Sequence, residues 1–286
     1  MTRYSLGLGW RCNNKCTFCC AGTNVYDELP LDQVHRLLRI AADDGADELV
    51  LTGGEPTCRN DLFEIVREAR KLGYTTVQLQ TNGRMLNYAD YTAQLIDAGI
   101  TEFIVTVSGH TAQLHEGQTK VRDSHRQTMA AIRNIRRLGG FVAANVVATK
   151  AVVPHLPAIA RDLVKRDVSQ VQVAFPEPAG RAYLAMDEVV PRLSEIRAPL
   201  RKALNIVLEA ERFATIEGFP LCTSPIHLRN AVEWGEGEGG AIPVWERRGH
   251  GAPCDLCTIT ERCPGLWLTY MDRWGDDELE PVTSVI

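Results

Sequence analysis

The chain has 286 residues, 45% hydrophobic and 23% charged, which is enough apolar material for a full core in one large domain with a small appendage. A formal net charge of -5 argues against a sequence-independent grip on nucleic acid, and no apolar run approaches the ~20 residues of a membrane helix, so neither is an expected partner. Met1 to Leu6 lead within a few residues to Arg11 and lack the apolar core of a signal peptide, which makes the cytoplasm the expected compartment. Nine cysteines, an odd number, fit poorly with a fully paired disulfide framework and better with metal ligation.

In chain order, β-branched runs predict strands at Tyr4 to Gly9, Glu48 to Thr52, Thr76 to Gln80, Phe103 to Val107, Ala143 to Ala148 and Gln170 to Phe175. Leu62, Ile65, Val66, Ala69 and Leu72 recur at helical spacing, with Asn60 placed to cap the start of that helix and Gly73 its end. The segments 31–42, 86–98, 124–138 and 155–165 repeat the pattern, and 190–210 reads as a further helix. Such alternation builds a parallel sheet, and six strands fall short of the eight of a closed barrel. The expected fold is therefore α/β, a partial (β/α)6 TIM-like barrel over 1–214. After Glu217 the texture changes to a Gly-rich Glu233 to Gly240 stretch and clustered cysteines, so 215–286 is expected to be a small cysteine-rich extension without an independent core.

Directly after the first strand stand Cys12, Cys16 and Cys19. Three soft thiolates from one loop can wrap an iron-sulfur cluster and leave one iron open, and an open iron binds and activates a small molecule. On spacing alone, a zinc site completed by Cys20 or Cys58 is the alternative. With aromatic Phe18 before the last cysteine, the loop resembles the cluster loop of the radical S-adenosylmethionine superfamily, and the likeness extends in order and position over residues 4 to 176. Cys20 and Cys58 read as packed or incidental thiols.

The second strand runs into Gly53-Gly54-Glu55-Pro56, where glycines let the backbone approach a ligand. This segment resembles the one whose backbone holds the amino group of the cofactor methionine. Polar residues collect at the ends of the later strands, which points to one pocket at the carboxyl edge of the sheet. The resemblance implies cofactor contacts from Asn82, Ser108 and Asn145, and an apolar or stacking contact with adenine from Phe18. His110 and His115 near the fourth strand read as hydrogen-bonded loop histidines; no side chain is singled out as catalytic.

Near the C-terminus, Cys254, Cys257 and Cys263 lie close in sequence and Cys222 can supply a fourth thiol. Four such ligands suit a second 4Fe-4S cluster or tetrahedral zinc equally by spacing. The segment resembles the shortened auxiliary-cluster extension called a twitch domain, which favours the cluster. Trp267, Tyr270 and Trp274 are expected to cover the barrel mouth as packing.

The resemblance implies an enzyme that reductively cleaves S-adenosylmethionine at a 4Fe-4S cluster to a 5'-deoxyadenosyl radical, which abstracts hydrogen from a substrate. A peptide undergoing maturation is the first substrate class, weakened by the short stretch before the first strand; a small biosynthetic intermediate is the second. A reductant such as flavodoxin or ferredoxin is the expected partner. The rivals are a non-catalytic two-cluster electron-transfer protein and a zinc-stabilised βα enzyme.

Overall fold

Residues of alternating parity along each strand face opposite sides of one sheet, and this division fixes how the chain wraps. The computed structural model describes residues 2–21, 28–235 and 247–284. Seven parallel strands run in sequence order: β1 (Arg3–Gly7), β2 (Glu48–Thr52), β3 (Thr76–Thr81), β4 (Glu102–Thr106), β5 (Phe141–Val147), β6 (Gln170–Ala174) and β7 (Phe213–Glu217). Helices α1 (Leu31–Asp43), α2 (Leu62–Lys71), α3 (Ala89–Ala98), α4 (Ala112–Thr119), α5 (Ser124–Arg137), α6 (Leu156–Lys165), α7 (Gly180–Leu184), α8 (Met186–Val189) and α9 (Leu193–Glu209) fill the crossovers. The sheet is a curled partial barrel, as expected, with β7 as an additional strand that crosses the expected boundary at 214/215.

Leu49, Leu51, Val77, Leu79, Phe103, Val105, Val142 and Ala144 are fully buried and form the core beneath the helices. The opposite face carries polar side chains that bond across strands. Thr52 Oγ1 donates to Gln80 Oε1 (2.9 Å), Gln78 Nε2 to Glu102 Oε2 (2.8 Å) and Gln170 Nε2 to Thr215 Oγ1 (3.0 Å), and Gln172 Nε2 donates to Glu217. An apolar face under helices and a polar concave face are what an open βα barrel with a ligand inside it needs.

Helix α2 starts one residue later than the expected cap. Its N-cap is Asp61, not Asn60, and no side chain caps it, because Arg59 engages both Asp61 oxygens at 2.8 and 2.7 Å. The same guanidinium donates to Leu8 O and Leu29 O, pinning the two ends of the segment that follows β1. Gly73, at φ 95°, follows the helix end as expected.

The C-terminal part contains α10 (Val232–Gly235), a two-stranded antiparallel pair of β8 (Arg248–Gly249) and β9 (Leu266–Trp267), and α11 (Leu268–Trp274). Of the Gly-rich stretch, residues 236–240 lie outside the described residues. Tyr270 on α11 is fully buried, edge-on to Trp274 and tilted against Phe175 at the end of β6. Its hydroxyl accepts from Leu193 N (3.0 Å) and donates to Glu278, which also takes Arg192 Nε at 2.8 Å. The expected packing role of these aromatics is what the structure displays. No described helix is long and apolar enough to cross a membrane.

Candidate functional site

The cysteine loop leaves β1 at Gly7 and is seated by backbone contacts with the ends of other strands. Gly54 N donates to Gly9 O (2.7 Å) and Glu55 N to Arg11 O (2.8 Å). A Cβ on Gly54 would stand 2.4 Å from both Trp10 O and Arg11 O, and one on Gly53 2.5 Å from Gly9 O. The close approach that these glycines permit is therefore first of all to the cysteine loop itself. Lys15 N and Thr17 N donate to Thr119 O and Gln118 O at the end of α4. Past β6, Arg181 N donates to Cys19 O (2.9 Å) and Arg181 Nη1 to Cys16 O (3.2 Å). A Cβ on Gly180 would meet Cys20 O at 2.2 Å.

Within this seat the thiols of Cys12, Cys16 and Cys19 are neighbours. Burial pushes Cys16 up to about 12, with the nearby Cys12 and Cys19 thiols adding to it, and pushes Cys12 up to about 11. The desolvated thiols of Cys12 and Cys16 are poorly placed to ionise alone, whereas a bound metal deprotonates its thiol ligands outright. Asn14 N donates to Cys12 Sγ at 3.4 Å and Asn82 Nδ2 approaches it at 3.9 Å. Hydrogen bonds to sulfur are among the features that tune iron-sulfur clusters. Of the additional thiols, Cys58 lies beside Glu55 and Cys12, and the exposed Cys20 lies beside Glu177. Among the described residues no three His, Cys, Asp or Glu side chains are grouped tightly enough to hold a metal ion, so both cysteine sets are neighbours rather than closed ligand shells.

Glu55 turns its carboxylate into the protein. It accepts from Thr57 N (3.2 Å), Thr57 Oγ1 (2.6 Å), Thr81 Oγ1 (2.6 Å) and Asn82 N (2.6 Å), tying β2 to the end of β3. Burial raises its pKa, and these bonds oppose the rise. Asn82 is thereby set against the cysteine loop, donating from Nδ2 to Asn13 Oδ1 at 2.7 Å. Phe18 is half-buried in the loop.

Asn145 pairs with Thr106 across β4 and β5, and Ser108 follows β4 by two residues. The Ser108 hydroxyl and Asn145 Oδ1 are buried without a hydrogen-bond partner. Buried polar atoms are rarely left so, and two of them on adjacent strand ends are the feature a polar ligand would complete. His115 Nδ1 accepts from Ser108 N at 3.2 Å, and burial with the His125 ring 5.5 Å away pushes its pKa down to about 4, so this imidazole is neutral. His115 is hydrogen-bonded as expected, but it lies on α4 and not in a loop. His110 packs on His155 with its Nδ1 unpartnered.

The structure also gathers Cys222, Cys254, Cys257 and Cys263 around one pocket, walled by Pro220, Pro253, Ile259 and Leu279. Cys222 arrives on a single turn, Leu221–Thr223, directly beyond β7. Cys263 Sγ accepts from Leu221 N and Gly265 N, both at 3.4 Å. The donor set suits a 4Fe-4S cluster or zinc.

Three residues that position the loop were not singled out from sequence. Besides Arg181, Arg84 donates from Nη1 to Asn13 O and from Nε to Gln127 Oε1 at 2.7 Å. Gln118 Oε1 accepts from Thr17 Oγ1 and Thr149 Oγ1 at 3.3 and 2.9 Å. No local signal could have found them, because each serves groups distant from it in sequence.

Residues 9–171 match the family model described as the radical SAM superfamily. A probable GTP 3',8-cyclase of Methanopyrus kandleri is 33% identical over 206 residues, covering 67% of this chain and 65% of that protein. The PqqA peptide cyclase of Bradyrhizobium diazoefficiens is 25% identical over 194 residues, 67% of this chain and 50% of that one. The chain thus spans less than two thirds of the length of either relative. Streptococcus suis SuiB, solved bound to S-adenosylmethionine, shares the fold at a TM-score of 0.71 with 14% identity, over 98% of this chain and 76% of SuiB.

Proposed function

This chain belongs to the radical S-adenosylmethionine superfamily of enzymes, and we propose that Cys12, Cys16 and Cys19 hold its 4Fe-4S cluster while the adjoining strand ends bind S-adenosylmethionine. When bound, the pair supplies one-electron reductive cleavage to a 5'-deoxyadenosyl radical, which takes a hydrogen atom from substrate. The protein's own part is to seat, orient and exclude water. Gly53, Gly54 and Glu55 fix the cysteine loop against β2, and the Glu55 carboxylate sets Asn82 beside it. Ser108 and Asn145, each with a buried unpartnered oxygen, are the polar contacts for the cofactor, and Phe18 is its apolar contact. Those two unpartnered oxygens are the observation that carries the placement.

The substrate lies against the concave face, where Gln78, Gln80, Gln170 and Gln172 offer amide groups. Amides of this kind recognise a substrate rich in hydrogen-bonding groups, and a peptide is the reading supported by the PqqA peptide cyclase likeness. A small biosynthetic intermediate is the second reading, supported by the 33% identity to a probable GTP 3',8-cyclase. The four C-terminal cysteines hold a second 4Fe-4S cluster that accepts or relays an electron. A flavodoxin or ferredoxin supplies the initiating electron, and nine free thiols are in keeping with a reducing cytoplasm.

Iron, acid-labile sulfide and zinc per chain after anaerobic reconstitution test the reading, together with 5'-deoxyadenosine release under dithionite. About eight irons with release is the expected outcome. About four irons with one zinc would make the C-terminal site structural. Zinc without iron, or a cluster-replete protein that releases nothing, would overturn the central claim.

A further inference from the structure

An open cleft lies between the cysteine loop, the end of α4 and the α7–α8 segment. Lys15 and Thr17 form one wall, Gln118 and Lys120 a second, Arg181 and Leu184 the third. Its lining comes from the segments that follow strands, whereas the glutamines of the polar concave face lie on strands β3 and β6 themselves. Three cations face it against one carboxylate, Glu188, on a chain whose net charge is -5. Neither Lys15 nor Lys120 has a carboxylate partner among the described residues. Leu184 is 72% exposed inside this rim, and its neighbour Tyr183 is 56% exposed. An apolar centre with a charged rim is the anatomy of a protein interface rather than of a small-molecule pocket.

The wall of the cleft is the loop that carries the thiols. Arg181, which lines it, donates from its backbone to Cys19 O and from its side chain to Cys16 O. A molecule seated here therefore touches residues of the thiol-bearing loop, Lys15 and Thr17, and its direct brace, Arg181. Steering by unpaired cations favours an acidic partner, and short-lived redox encounters use small, charge-guided contacts of this sort.

We propose that this cleft is the docking surface for an acidic one-electron carrier protein that reduces the cluster. The inference rests on the functional reading above. One electron leaves the reduced carrier and enters the cluster held by Cys12, Cys16 and Cys19; no proton or group moves. The carrier approaches from the cleft while substrate occupies the concave face, so the two partners do not compete.

The test uses the cluster-loaded enzyme and flavodoxin, an acidic flavin carrier. Binding is measured by calorimetry, and 5'-deoxyadenosine formation is driven in parallel by reduced flavodoxin and by dithionite. The double variant Lys120→Glu, Ala185→Glu, both positions lining the cleft, is expected to weaken flavodoxin binding on the order of tenfold and to flatten its salt dependence, with the dithionite-driven rate within about twofold of wild type. Leu184→Asp, which leaves both lysines in place, is expected to weaken binding without changing the salt dependence. Flavodoxin affinity unchanged in both variants overturns the proposal, as does failure of wild type to bind either flavodoxin or an acidic ferredoxin. Loss of nucleoside triphosphate binding in the double variant, with flavodoxin affinity intact, reassigns the cleft to a small anion and also overturns it. If wild type releases no 5'-deoxyadenosine under dithionite, the functional reading fails, and the binding titration still decides the docking surface.

Discussion

The N-terminal loop takes three thiols from one short segment and relies on the ends of β2 and β3, the end of α4 and Arg181 of α7 to hold that segment in place. The C-terminal pocket takes four thiols from two segments far apart in sequence and encloses them among prolines, Ile259 and Leu279, with Cys263 Sγ bonded to local amides. The first set is braced by the barrel and supplies three thiols; the second is braced by its own turns and supplies four. Under the proposed reading, a 4Fe-4S cluster on three thiols would keep one iron for a ligand and one on four thiols would keep none.

The largest effect expected is at the first set. Cys16→Ala should abolish 5'-deoxyadenosine formation while the C-terminal metal stays bound, measured by product analysis and metal content on one sample. Retained cleavage would remove the loop from the chemistry. Gly54→Ala strikes the support instead of the thiols: with 2.4 Å between the new Cβ and two carbonyl oxygens, the loop must shift, costing about 3 kcal/mol in denaturant unfolding and most of the cleavage rate. An unchanged unfolding midpoint would show that the seat yields without strain.

Much of this comparison was legible in the sequence. The spacing of Cys12, Cys16 and Cys19 and the Gly53-Gly54-Glu55 turn were legible as patterns because each is a run of near neighbours in the chain, whereas the seating of the cysteine loop by that turn joins residues far apart in sequence. Strand β7 was missed because Phe-Ala-Thr-Ile-Glu is short and only Ala214 and Ile216 are buried, too brief a run for periodicity to register. Arg59, Arg84 and Arg181 were missed for another reason: they bond carbonyl oxygens distant in sequence, and no local pattern marks a side chain that serves remote backbone. The Glu55 carboxylate, which ties the end of β2 to the end of β3, was illegible for the same reason, since Thr81 and Asn82 are distant from it in sequence.

At the second set, Cys257→Ala should spare some uncoupled cleavage of S-adenosylmethionine and lose substrate turnover; full turnover would make the pocket dispensable. The smallest effect concerns α4, the helix after β4. His115 is buried neutral, with a pKa pushed down from 6.5 to about 4, chiefly by burial and further by His125. A base with a depressed folded pKa contributes stability that is fully present above 6.5 and is lost as pH falls from there toward 4. His115→Gln should flatten the dependence of unfolding midpoint on pH over the upper part of that window; a slope identical to wild type would assign it to other groups.

The two faces of the sheet answer to different demands. Along β3, Val77 and Leu79 lie buried under helices, while Gln78 and Gln80, one position away, bond to Glu102 on β4 and to Thr52 on β2 across the concave face. Truncating either of the first pair would open a cavity in the core, whereas truncating either of the second would strip a polar neighbour of its cross-strand bond. A single strand thus serves as a wedge on one side and as a polar lattice on the other.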